Sequence, residues 1–74
     1  MSGQREPKLL DLVAVTSAGA NSEVAIGDVG TVVEVLAPDG LEVEFLNSDG
    51  RTRCVATLNT KDVLILNRER TKVA

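Results

Sequence analysis

The stretch VGTVVEVLAPDGLEVEFL, residues 29–46, decides the fold. Two apolar, β-branched runs flank Pro38-Asp39-Gly40, and the second run alternates apolar with acidic residues. Alternation with a period of two is typical of a half-buried strand, and Pro-Asp-Gly is typical of a three-residue hairpin loop. The stretch therefore predicts a β-hairpin with strands at 29–36 and 41–46.

The Pro38-Asp39-Gly40 loop also predicts which residues of this hairpin face each other. It places Val35 opposite Val43 and Val33 opposite Phe45, so these four side chains are expected to point inward. The opposite, outer face then holds Val32, Glu34, Leu36, Glu42, Glu44 and Leu46, with Val32 across from Leu46.

A second hairpin is expected next, with its turn at 47–50 and its second strand at 51–58. A two-residue turn at Asp49-Gly50 would pair Phe45 with Cys54, whereas a four-residue turn would pair Phe45 with Thr52. The two registers differ by two residues and leave the same side chains on each face, so the sequence does not choose between them. In both registers Thr52, Cys54, Ala56 and Leu58 point inward, and Arg51, Arg53 and Val55 join the acidic outer face.

The remainder of the chain completes an all-β domain. Apolar runs at 9–15 and 62–66 predict a first and a last strand that pair with each other, and 59–61 predicts a short turn. Residues 16–28 are rich in small and turn-forming residues and predict a long loop between the first two strands. We expect a small, bent, five-stranded barrel at 9–66 between polar tails at 1–8 and 67–74. An open three-stranded meander completed by a partner is the alternative.

Composition excludes several classes of function. The 74 residues include no His, Trp or Tyr, and only one Phe and one Cys. A His general base, a His or Cys-rich metal site, an internal disulfide and an aromatic base-stacking platform are therefore all excluded. We expect neither enzymatic activity nor a bound cofactor or metal.

Charge is divided unevenly along the chain. Residues 9–50 contain no Lys or Arg and eight acidic residues, while residues 51–74 contain six bases and two acids. A nucleic-acid-binding protein usually presents a basic surface to the phosphates, and most of this domain would repel them. Nucleic-acid binding through Arg51, Arg53, Lys61, Arg68, Arg70 and Lys72 is therefore the weaker hypothesis.

The ordered set LLDLVAV, GDVGTVVEVL, LEVEF, DGRT, ATL and DVLIL, spread over residues 9–66, resembles a family of short bacterial proteins known only as a domain of unknown function. The resemblance implies a Src-homology-3-like (SH3-like) barrel and no particular activity. One departure is Arg53, where an aromatic residue commonly follows Asp-Gly-Arg-Thr in the family. Residues 27–32, GDVGTV, are also similar to the Gly-x-x-Gly-x-Val core of the KOW element, but without its basic surroundings.

The sequence thus predicts a non-catalytic protein-interaction or assembly domain. The expected contact surface is the outer sheet face formed by Val32, Glu34, Leu36, Glu42, Glu44, Leu46, Arg53 and Val55. We expect a homodimer or a complex with a larger protein partner, since so small a core is often supplemented by oligomerisation. A free Cys54, no signal peptide and no apolar run long enough to span a membrane favour the cytoplasm.

Overall fold

A computed structural model describes residues 6–17 and 23–66. Five antiparallel strands form one open sheet in the order β4-β3-β2-β1-β5. The elements are β1 (Leu12–Val15), β2 (Val29–Leu36), β3 (Gly40–Leu46), β4 (Thr52–Asn59), a 3₁₀ turn (Thr60–Asp62) and β5 (Val63–Ile65). The predicted all-β, five-stranded architecture is confirmed, and the arrangement is consistent with an SH3-like barrel.

The first and last strands pair as the sequence predicts. Val13 lies opposite Ile65 and Val15 opposite Val63 in the β1–β5 ladder, while the other edge of β1 pairs with β2. The predicted short turn before the last strand is the 3₁₀ turn, where the Asn59 side chain accepts the Lys61 N–H. Pro7 is buried although it precedes the predicted start of the domain, and residues 1–5 and 67–74 of the predicted tails lie outside the described residues.

The core is the inner face of the sheet. Its largest fully buried side chains are Phe45, Leu41, Val13, Val15, Val32 and Val43. Gly30 lets β2 approach β3 closely, because a Cβ there would lie 2.6 Å from Val43 Cγ1 and 2.8 Å from the Glu44 carbonyl oxygen. A side chain at position 30 is therefore incompatible with this packing.

The β2–β3 register differs from the predicted one. Leu36 lies opposite Gly40, so the loop is Ala37-Pro38-Asp39, with a cis Ala37–Pro38 peptide bond, and Gly40 begins β3. A bulge at Val33 then shifts the ladder by one further residue, which places Val32 opposite Val43. Because such a shift exchanges the two faces of a strand, Val32 becomes fully buried, whereas the unpaired Val33, predicted to point inward, is exposed. Val35 lies opposite the buried Leu41, on its predicted inner side, but is 50% exposed near the end of β2.

The β3–β4 hairpin has one of the two predicted registers over most of its length. Phe45 lies opposite Cys54, as a two-residue turn would require. The turn itself has three residues, closed by the Asn47 N–H to the Arg51 carbonyl at 2.8 Å, with Gly50 at a φ of +89°. A bulge at Arg53 reconciles the turn with the ladder, since Leu46 lies opposite Thr52 and Phe45 opposite Cys54.

Candidate functional site

The outer face of β5, β1 and the start of β2 is apolar. Leu64 lies opposite Ala14, Ala14 lies opposite Val29, and the Leu66 N–H donates to the Leu12 carbonyl. These contacts join three strands into one surface, the apolar half, formed by Leu12, Ala14, Val29, Leu64 and Leu66. Its four large side chains are each between 42% and 51% exposed.

The rest of the outer face, on the end of β2 and on β3 and β4, is acidic. This acidic half consists of Glu34, Leu36, Glu42, Glu44, Leu46 and Val55, which are exposed or half-buried. Glu34 lies directly opposite Glu42 in the β2–β3 ladder, an arrangement in which two like charges repel each other. Thr57 Oγ1 donates to Glu42 Oε2 at 3.0 Å, and Thr52 Oγ1 donates to Glu44 Oε2.

Arg53 does not lie on this acidic half, although both predicted registers place it there. Its Nη2 donates to Asp28 Oδ2 at 3.2 Å, and its Nη1 donates to the Glu23 carbonyl at 3.2 Å. Its guanidinium carbon also lies 5.6 Å from the centre of the Phe45 ring. The physical reason is the bulge, since an unpaired residue is freed from the alternation of its strand and can turn toward the other face.

Asp28 is thereby held in place at the end of the long loop. Its Oδ2 accepts the Ala25 N–H at 2.9 Å, and this hydrogen bond is the main reason that the pKa of Asp28 lies below its ordinary value. The hydrogen bond and the positive charge of Arg53 lower the pKa further. Arg53 and Asp28 thus fix the described part of the loop, with Val24 buried in the core and Ile26 left exposed.

Six of the eight residues predicted for the contact surface do lie on the outer face, and two do not. Val32 belongs to the core, because the bulge at Val33 reverses its direction. Arg53 contacts Asp28 and Phe45 instead. The prediction missed the apolar half altogether, although the uninterrupted apolar runs at 12–15 and 63–66 were a usable signal, since such runs supply apolar residues to both faces of a strand.

A tight turn precedes β1. The Asp11 N–H donates to the Lys8 carbonyl at 3.0 Å, and the buried Asp11 carboxylate accepts the Lys8 N–H at 2.8 Å. Leu10 has a φ of +71°, a conformation that is uncommon for residues other than glycine. The turn is anchored to the sheet by the Leu10 N–H to the Val32 carbonyl at 2.8 Å, and it exposes Leu9 and Leu10.

Other site types receive little support. Within residues 6–17 and 23–66, no group of three or more His, Cys, Asp or Glu side chains is arranged to hold a metal ion. Cys54 is a free, half-buried thiol packed against the core. None of the helical segments described for this chain has the length and apolar character needed to cross a membrane.

Residues 9–65 match the model of DUF4926, a domain of unknown function. The chain belongs to the DUF4926 family. The predicted resemblance to an uncharacterised family is therefore confirmed, and the DUF4926 match spans all five strands.

The DUF4926 match brings no activity with it. A search of curated proteins and a search of solved structures each found no significant match to the chain. The similarity to the KOW element is not supported by any of these comparisons.

Proposed function

We propose that this DUF4926 domain is a non-catalytic protein-interaction domain that self-associates through the apolar half of its outer face. The observation that carries this proposal is the contiguity of Leu12, Val29, Leu64 and Leu66 across three strands. Contiguous exposed apolar surface on a small domain marks a contact site more often than scattered apolar residues do. In this surface the outward positions are apolar, and the acidic side chains lie on the strands beyond it.

A second copy fits this surface by charge and by size. In a twofold contact each patch meets itself, so a patch without charged residues brings no like charges together. The four half-exposed side chains and their surroundings offer on the order of 500 Å² per copy, so that a dimer would bury roughly 1,000 Å², in the size range of weak or transient interfaces. The acidic halves would then remain exposed at the far ends of the dimer.

The unpaired cysteine and the family resemblance support a cellular location for the domain. We place the domain in the cytoplasm of a bacterium, since a single unpaired thiol suits a reducing compartment and the family resemblance is bacterial. An accessory or assembly role fits a domain that offers contact surfaces and lacks His, the side chain most often used in general acid–base catalysis. Nucleic-acid binding is not favoured, because Arg53 is engaged by Asp28 and the outer face carries three glutamates.

Size-exclusion chromatography with in-line light scattering tests the proposal on the full 74-residue chain over a dilution series. We expect the wild type to show twice the 7.8 kDa mass of one chain at high concentration. Leu64→Asp should give the monomer mass. The matched control is Val35→Asp, because Val35 is 50% exposed and Leu64 49%, but Val35 lies outside the apolar half.

Circular dichroism should show the same β-sheet spectrum for both variants, so that a change of mass reports association and not unfolding. A wild type that is monomeric throughout the series would contradict self-association. A Leu64→Asp variant that keeps the wild-type mass would show that the apolar half is not the interface.

A further inference from the structure

The eight-residue strand β4 forms one edge of the sheet. It pairs with β3 on one side, and β5, at the opposite edge, has only three residues. An edge strand presents unpaired backbone groups that can pair with another chain. The length of β4 makes it the more extensive of the two edges.

The hydrogen-bond pattern identifies which backbone groups of β4 point outward. The Thr60 N–H donates to the Asp39 carbonyl at 2.9 Å, in the same register that places Leu58 opposite Leu41. Hydrogen-bonded and non-hydrogen-bonded positions alternate along an antiparallel ladder. The backbone groups of Val55 and Thr57 therefore point away from β3, and within the described residues no backbone partner meets them.

β4 has few of the features that protect edge strands from pairing. Such strands are usually short, or carry Pro, Lys or inward-pointing charges. β4 contains neither Pro nor Lys, and its one charged residue, Arg53, lies at the bulged end with its side chain on Asp28. Val55, near the middle of the strand, is exposed. The central part of this edge is thus open to an incoming strand.

The charge beside this edge is negative. Glu42 and Glu44 lie on β3. The Glu42 carboxylate accepts the Thr57 hydroxyl of β4, and the Glu44 carboxylate accepts the Thr52 hydroxyl. Neighbouring strands lie about 4.8 Å apart, so a long basic side chain on a strand added to β4 would reach these carboxylates. Because successive side chains on one face of a strand are two residues apart, basic residues of the added strand that face these carboxylates would occupy alternate positions.

We propose that the free edge of β4 binds an extended segment of a partner protein as a sixth strand, and that this segment carries Lys or Arg at alternate positions. The main-chain hydrogen bonds of Val55 and Thr57 would supply the pairing, and Glu42 and Glu44 would select the basic side chains. This site is separate from the apolar half and does not depend on self-association.

The test uses a blocked synthetic peptide, Thr-Lys-Val-Lys-Val-Lys-Thr, titrated into the ¹⁵N-labelled full chain and followed by NMR. We expect saturable shifts centred on the amides of Val55 and Thr57. Replacing the three lysines of the peptide by glutamates should weaken binding by at least about tenfold, because the carboxylates of Glu42 and Glu44 would then repel it. Added salt should weaken the binding of the lysine peptide but should not weaken the binding of the glutamate peptide.

Two controls separate strand addition from loose electrostatic attraction. N-methylating the peptide at the amides that face β4 keeps its charge and removes its donors, so it should abolish the shifts without altering the protein. The double variant Glu42→Gln with Glu44→Gln leaves the β4 backbone unchanged and should weaken the lysine peptide several-fold.

Equal binding by the N-methylated peptide would overturn the proposal, since backbone pairing would then play no part. So would shifts confined to other surfaces, or no shifts at millimolar peptide. Undiminished binding by the double variant would overturn the assigned role of the two glutamates.

Discussion

The two faces of this sheet are formed by the same five strands but differ in how far their side chains are buried. On the inner face, Val32, Leu41, Val43 and Phe45 are fully or almost fully buried. On the outer face, leucines and glutamates of the same strands remain substantially exposed, and Glu34 stands opposite Glu42. Residues that serve only folding need not include repelling charges or exposed leucines, so the outer face is the part that calls for a functional explanation.

The largest expected effect distinguishes two neighbouring valines. Val32→Asp would bury a carboxylate at a position that is 0% exposed, and should cost more than about 4 kcal/mol of unfolding free energy. Val33→Asp, on the bulged residue, should change it by less than about 0.5 kcal/mol. Urea denaturation followed by circular dichroism measures both. A larger loss for Val33→Asp than for Val32→Asp would mean that Val33 points inward and Val32 outward, as the Pro38-Asp39-Gly40 loop predicts.

Gly30→Ala tests the close approach of β2 to β3 that builds the inner face. The added Cβ would lie 2.6 Å from Val43 Cγ1 and 2.9 Å from Phe45 Cδ1, so the core must shift. We expect a loss of about 1–3 kcal/mol, measured by thermal and urea unfolding. The Cβ of Gly27→Ala would meet no atom within 4 Å, so any loss of stability in that variant comes from the φ of +97°. Comparing the two variants therefore separates the cost of backbone strain from the cost of overpacking. An unchanged stability for Gly30→Ala would contradict the packing.

Glu34→Gln should stabilise the domain, because it removes a like charge directly opposite Glu42. The expected gain is about 0.2–1 kcal/mol at low ionic strength, and it should shrink in high salt. Asp39→Asn removes an equal charge from the β2–β3 loop and serves as the control. A gain of equal size in both variants would attribute the effect to net charge and not to the outer face.

The smallest effect concerns the Arg53–Asp28 contact that holds the loop beside the inner face. Because folding lowers the pKa of Asp28 below its ordinary value of 3.8, its stabilising contribution is present above that pH and is lost as the pH falls through the lowered pKa. Asp28→Asn should therefore be less stable than the wild type at neutral pH and approach it in acid. A difference independent of pH, in unfolding curves recorded between pH 7 and pH 2, would contradict the lowered pKa of Asp28.

The sequence predicts the strands of this domain well because their signals are local. The alternation of Leu41, Val43 and Phe45 with Glu42 and Glu44 places every residue of β3 on its observed face. The apolar runs at the two ends give the first and last strands and their pairing. The Gly-containing second turn narrows the β3–β4 register to two possibilities, one of which holds along most of the ladder.

The wrongly predicted directions of Val32, Val33 and Arg53 have one physical origin, the β-bulge. No residue of VGTVVEVL distinguishes Val33 as the unpaired one, and the bulge there reverses the direction of Val32. A second bulge turns Arg53 away from the glutamates and toward Asp28. A bulge is a compromise between turn geometry and ladder register, and that compromise depends on contacts made by residues distant in the chain.

We propose the apolar half of the outer face as a contact surface between copies of the domain. NMR spectra of the ¹⁵N-labelled chain, recorded over a hundredfold dilution, test it residue by residue. We expect concentration-dependent shifts at the amides of Leu12, Val29, Leu64 and Leu66, with Val33 and Val35 unchanged. Spectra that do not change with concentration, or changes confined to Val33 and Val35, would contradict it.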